Sequence, residues 1–519
     1  MRVVNEIVER IDISELERSY KGGGTSSYHP RMLLKVLIYA YLRNVYSSRK
    51  IEMALSENVH FMWLAGGARP DHNTISDFRG KRLRGQLKGI FNRVVMLLAE
   101  EGVLGLKNLT VDGTKIEANA NRYTFVWGKA IGVSRERIER QLRELWAYVE
   151  QVYADEENQP NEPEFNSIDA EAVKRTIEEI NEALRDKAVS PKVRQKLTYA
   201  KKNWPKKLKE YDEKEKILKE RKSFSKTDED ATFMRMKEDH MRNGQLKPGY
   251  NLQASTEGHY IINYTLGQKT NDTSLLKEHL EDHIHSYGAK PETLTADAGY
   301  GSEENYEYLE KEGITAFVKY NYFEKETTDR KRQTNPFIAD NLYYNERDDI
   351  YYCPVGQPMK FVKSGRQRTA GGYLQQIKYY QAARCEGCPM RGPCHRSRGN
   401  RIIQRNENVI RHRKKARELL ESEEGVRHRR ERWKVEAVFG NIKHNKRGCQ
   451  EFCAFEISSI PGTGSRSGKM IANWFMASPQ FLIGIVHFLA AFCKPSQSSL
   501  RAASSVGKAA LVFVILRRL

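Results

Sequence analysis

Leu109-Thr110-Val111-Asp112-Gly113-Thr114-Lys115 is the stretch on which the fold of this chain turns. Its β-branched and apolar residues read as a strand over 108–116, with an acid near its end. Working outward, residues 249–254 and 260–266 read as two more strands, joined at Glu257-Gly258. A helix over 273–287, a strand over 293–297, a helix over 303–312 and a strand over 315–318 follow. The expected order is β-β-β-α-β-α-β, an α/β fold with a mixed sheet. It puts Asp112 on the first strand and Asp297 at the end of the fourth.

That order is the one of an RNase H-like core, in which the first and fourth strands are neighbours. Polynucleotidyl transfer needs two divalent cations held by carboxylates, clamping the attacking and the leaving oxygen. Two strand-end aspartates and one helical acid would supply them. The third acid is expected on a basic amphipathic helix over 425–445, where Val435, Phe439 and Ile442 make an apolar stripe and Arg432, Glu436 and Lys443 share another face. Glu436 is therefore the candidate third ligand beside Asp112 and Asp297.

Lys and Arg number 87 against 67 Asp and Glu, a formal net charge of +20, which suits a polyanionic partner. Double-stranded nucleic acid is the leading candidate, and a basic surface kept for solubility is the alternative. The start of the chain lacks the basic-then-apolar run of a secretory signal, so a cytoplasmic setting is expected. The apolar run 471–493 is interrupted by Asn473, Pro479, Gln480 and His487, which argues against a membrane span.

Residues 1–105 are expected to form an all-helical DNA-binding domain, with Arg43, Arg49, Lys50, Arg79, Lys81, Arg82, Arg84 and Lys88 lying on phosphates or on a solvated face. The core begins at 106–133 and resumes at 223–320. Between these, 134–222 reads as a charged helical hairpin, with an acidic connection over 155–164 and a kink or break at Pro205. Residues 321–410 form a Cys-rich insertion. Cys353, Cys385, Cys388 and Cys394 are the donor set of a closed tetrahedral zinc, and the spacing of Cys385 and Cys388 is that of a knuckle. Tyr351, Tyr352 and residues 378–380 read as strands of a zinc ribbon, and four ordinary reduced cysteines are the alternative. Residues 411–447 carry the third acid, and 448–519 form an atypical tail.

Four motifs carry a resemblance. They are Val111-Asp112-Gly113-Thr114-Lys115 with Ala118-Asn119, the run from Met236 through Lys247-Pro248-Gly249-Tyr250-Asn251-Leu252-Gln253, Ala296-Asp297-Ala298-Gly299-Tyr300-Gly301, and Glu436-Ala437-Val438-Phe439-Gly440-Asn441-Ile442-Lys443. Over roughly residues 25–447 the chain resembles the DDE transposases of bacterial insertion sequences, in particular the branch numbered eleven-eighty-two. The resemblance implies a nucleoid-associated enzyme that cuts at the element's ends and joins the freed 3′-hydroxyl to target DNA, working as a homodimer with two Mg²⁺ or Mn²⁺ ions per site. Asp112, Asp297 and Glu436 would bind the metals, and Arg432 and Lys443 would hold phosphates. Arg429 stands where relatives carry a tyrosine. Lys115, Lys247, Tyr250 and Asn251 are further candidate DNA contacts or plain strand residues. From Gly448 onward the resemblance ends in a composition that a frameshifted reading frame would produce. Two other readings stay open: an RNase H-like nuclease or resolvase without strand transfer, and an impaired zinc-containing DNA-binding protein.

Overall fold

The computed structural model describes residues 1–20, 27–154, 169–236 and 244–440. Six strands make the central sheet: β1 (Asn108–Glu117), β2 (Thr232–Arg235), β3 (Leu246–Glu257), β4 (Tyr260–Gly267), β5 (Thr293–Ala296) and β6 (Thr315–Val318). β1 lies between β3, to which it is antiparallel, and β5, to which it is parallel. β6 continues the parallel side, while β4 and the short β2 both run along the far edge of β3. The strands bearing Asp112 and Asp297 are thus neighbours, as the sequence pattern requires.

β3 explains how a sheet centre can carry polar chemistry. Leu252 and Ala254 feed its apolar face, while Asn251, Gln253 and Ser255 alternate with them and are wholly buried on the other. A buried amide or hydroxyl needs a hydrogen-bond partner. The segment 271–287 supplies them, ending in the helix Leu276–Tyr287, where His279 meets Ser255 at 2.6 Å and Thr265 at 2.8 Å through its two ring nitrogens.

The N-terminal helices do not form a separate body. Residues from Val4 to Leu98 share one continuous apolar core with β1, β5, β6 and Val435, Val438 and Phe439. Two cations assigned to phosphates serve this junction instead. Lys88, on the helix Leu87–Glu100, pairs with Asp282 at 3.0 Å and donates to the Tyr264 carbonyl at 2.6 Å. Burial holds its ammonium below the ordinary lysine range. Arg79 is 3% exposed and donates to the Tyr46 carbonyl. Arg43, Arg49, Lys50, Lys81 and Arg84 remain exposed, and Arg82, exposed as well, caps the Ser19 carbonyl.

The first insertion has three described helices, Gly128–Val152, Ala170–Ala183 and Pro191–Leu218, rather than a hairpin. They bury a core of their own around Trp146, Val149, Ile177, Ile180 and Trp204. Pro205 lies inside the third helix and does not end it. Trp204 and Leu208 are both buried, so packing on either side of the proline offsets the backbone bond it forgoes. The acidic connection at 155–164 lies outside the described residues. The second insertion is a five-stranded antiparallel meander, Tyr343–Asn345, Ile350–Tyr352, Pro358–Arg368, Leu374–Ala382 and Ile402–Arg405, paired in sequence order. The tail and its apolar run also lie outside the described residues. Among those described, no helix is long and apolar enough to cross a membrane.

Candidate active site

Asp112 sits near the middle of β1, 14% exposed, with its Oδ1 accepting from the Gly113 amide at 2.8 Å. Asp297 follows β5 directly and caps the turn Ala298–Tyr300, accepting from the Gly299 amide at 2.8 Å. Because β1 and β5 are parallel neighbours, their acids come together at one end of the sheet.

Glu436 arrives from a broken helix. Instead of one helix over 425–445, the chain forms Glu423–Glu431 and then Trp433–Gly440, interrupted at Arg432. His428 stacks on Phe317 of β6 at 4.2 Å and bonds to Thr295 of β5, docking the first piece. Val435, Val438 and Phe439 enter the core and dock the second. This leaves Glu436 with a side chain 58% exposed, accepting from Arg432 at 2.7 Å. The same guanidinium lies 3.9 Å from Asp112. Arg432 therefore spans the first and third acids, where it was expected to hold a phosphate. Arg429 lies over the Phe323 ring, and Lys443 is outside the described residues.

The four candidates on and beside β3 point elsewhere than to DNA. Tyr250 is 4% exposed and donates to Asp228 at 2.8 Å, and Asn251 is fully buried. Lys247 pairs with Glu117, and Lys115 donates to the Arg235 carbonyl. Tyr250 and Asn251 belong to the interior because their strand is covered on both faces.

One acid escaped the sequence reading. Asp272, in the turn between β4 and the helix Leu276–Tyr287, accepts from Asn251 at 2.7 Å and Gln253 at 3.1 Å through Oδ1. Gln253 in turn accepts from the buried Tyr300 hydroxyl. Burial first, and then the charges of Asp272, Asp112 and Asp297, push the Tyr300 phenol well up, so all three carboxylates act on one ring. The acid lay in no strand-end motif, and its only signal was the turn sequence Asn271-Asp272-Thr273 before a helix.

The donors here are carboxylate oxygens, the set a hard divalent cation takes. As they stand, no three His, Cys, Asp or Glu side chains among the described residues converge closely enough to hold a metal ion. In the Cys-rich sheet, Cys353, Cys385, Cys388 and Cys394 line one small cavity with Arg401 and His395. Backbone amides of Gln357 and Arg401 reach the sulfurs of Cys353 and Cys385 at 3.3 Å, and the Arg401 guanidinium lies 3.0 Å from that of Cys394.

Two comparisons bear on this geometry. Residues 1–81 match a transposase domain, DUF772, and residues 352–454 match a transposase DDE domain. The second match contains Glu436 and the cysteines. No curated protein and no solved structure matches the chain.

Proposed function

Since its two domain matches make this chain a DDE transposase of the insertion-sequence type, we propose that it cuts DNA at the ends of an element of the eleven-eighty-two branch and transfers the 3′-hydroxyl to target DNA. The observation carrying this reading is the meeting of Asp112 and Asp297 at one sheet end, with the Glu436 helix packed against β1. Asp112, Asp297 and Glu436 would hold the divalent ions, Mg²⁺ or Mn²⁺, two per site. When bound, such ions lower the pKa of an attacking water and stabilise charge developing on phosphate oxygens, so no protein nucleophile is required. Arg432 keeps Asp112 and Glu436 in register before DNA arrives, and the strands fix the two aspartates so that little reorganisation is left for the reaction. The exposed cations of the N-terminal helices are the phosphate contacts, and a homodimer on two ends is the working form.

The test is incubation of the full chain with Mg²⁺ and DNA carrying the sequences that flank its gene. Cleavage followed by joining of a 3′-end to a second duplex is expected. Cleavage without joining would favour a nuclease or resolvase. The cysteine cavity supports a structural zinc, provided Arg401 withdraws from Cys394. Elemental analysis of protein prepared without chelator should find about one zinc per chain, lost when Cys385 or Cys388 becomes serine. No zinc would sink it.

A further inference from the structure

We propose that Asp272 is a fourth carboxylate of the metal-binding centre, a reading that rests on the assignment of Asp112 and Asp297 above. Its argument begins with two glycines. A Cβ built on Gly113, next to Asp112, would stand 2.6 Å from Asp272 Oδ1 and 2.6 Å from Gln253 Nε2. A Cβ built on Gly299, two residues after Asp297, would meet Asp297 Oδ1 at 2.9 Å and Asp272 Oδ2 at 3.8 Å. The space left by both glycines is therefore filled by the Asp272 carboxylate, which lies beside both strand-end acids. Neither glycine has a positive φ, so turn geometry does not account for them.

Asp272 is also oriented. Both amides on β3 bond to the same oxygen, Oδ1, and both belong to fully buried residues. Gln253 is fixed in turn by Tyr300 and by its bond to Asn251 Oδ1 at 2.9 Å. An amide that donates to Asp272 while accepting from Tyr300 has one orientation available, and so the network sets the carboxylate plane. Oδ2 is turned toward Asp297 and takes no hydrogen bond from these amides. A carboxylate bonded through one oxygen and directed by the other toward a second acid has the arrangement of a metal ligand with its supporting partners. A purely structural acid at this place would bring like charge beside Asp297 without compensation.

Asp272→Asn separates these roles, because an asparagine Oδ1 still accepts from both amides while the charge is lost. In the full chain, Mn²⁺ affinity measured by calorimetry should fall about tenfold or more, and the Mg²⁺ needed for half-maximal end cleavage should rise by about the same factor. Cleavage should recover at saturating Mg²⁺, and the thermal midpoint should stay near that of the unaltered protein. Asp272→Glu should restore part of the Mn²⁺ affinity. Unchanged Mn²⁺ affinity and an unchanged Mg²⁺ curve in Asp272→Asn, alongside lost binding in Asp112→Asn and Asp297→Asn, would overturn the inference and leave the centre intact. If Asp112→Asn and Asp297→Asn also bound Mn²⁺ normally, the assignment of the centre itself would fall.

Discussion

Asp112 and Asp297 differ from Glu436 in what holds them. Each aspartate belongs to the backbone frame of a central strand, with a carboxylate oxygen on the amide of a following residue. Glu436 stands on an eight-residue helix, more than half exposed, and bonds to Arg432 four residues earlier. One side of the centre is built by the sheet and the other is carried to it by docked helices. The sheet side is preorganised, whereas the helical side can be repositioned when a metal and DNA enter. That contrast suits a reaction in which substrate completes the centre.

The sharpest way to break the contrast is to neutralise each acid. Asp112→Asn, Asp297→Asn and Glu436→Gln should each lower end cleavage by about a thousandfold or more while DNA binding in a filter or anisotropy assay stays near normal. Stability should then tell the two sides apart. Asp297→Ala also removes a cap and should cost about 1 kcal/mol, whereas Glu436→Gln should leave the thermal midpoint in place. Near-normal cleavage by any of the three neutral variants would remove that acid from the centre.

Gly113→Ala attacks the sheet side through packing. Its methyl would displace Asp272 or Gln253 from a fully bonded position, and overpacking of this kind costs about 1–3 kcal/mol. Denaturant unfolding should show that loss, together with a raised Mg²⁺ requirement. An unaltered midpoint would mean that the Asp272 turn yields freely, and that the sheet side is no firmer than the helical one.

The same division separates what the sequence disclosed from what it withheld. Strand periodicity located β1, β3, β4, β5 and β6, because their apolar alternation is local, and with them Asp112 and Asp297. Glu436 was reached through its motif and the apolar stripe, although the break at Arg432 was missed. Composition alone does not reveal that His428 and Val435 dock two separate pieces. Asp272, Arg79 and Lys88 were misread or passed over for one reason. A polar residue on a turn or helix looks solvated until the tertiary partner that buries it is known, here Asn251, Tyr46 and Asp282. Tyr250 and Asn251 were offered to DNA because a polar strand residue reads as surface, and β3 is covered on both faces.

Acid should weaken the sheet side through its histidines. Burial lowers His279 to about 3 and His283 to about 4, so the fold keeps both neutral. The unfolded chain takes up those protons below about pH 6.5. Their contribution is therefore complete above pH 6.5 and is lost as pH falls toward 4 and then 3, at up to about 1.4 kcal/mol per pH unit for each histidine. Since His279 pins the helix that follows Asp272, cleavage and stability should decline together. In His279→Gln the slope of unfolding free energy between pH 6 and 5 should be shallower by about 1.4 kcal/mol per unit. An identical slope in the variant would place the acid sensitivity elsewhere.

The smallest effect belongs to the residue joining the two sides. Arg432 is 20% exposed and spans Asp112 and Glu436, a cation lying where the acids would otherwise repel one another. A half-solvated ion pair of this kind is worth about 0.2–1 kcal/mol. Removing it should free the acids, and Arg432→Ala should bind Mn²⁺ about two- to fivefold more tightly in the absence of DNA. If the guanidinium moves to a phosphate once DNA and metal arrive, the variant should also lose one released counterion. The slope of log affinity for an end against log salt would become shallower by about 0.9, out of the larger total expected for a chain of +20 charge. Tighter metal binding with an unchanged salt slope would mean that Arg432 acts on the acids alone. A changed slope with unchanged metal affinity would mean that it acts on DNA alone, and that the two sides of the centre are not coupled through it.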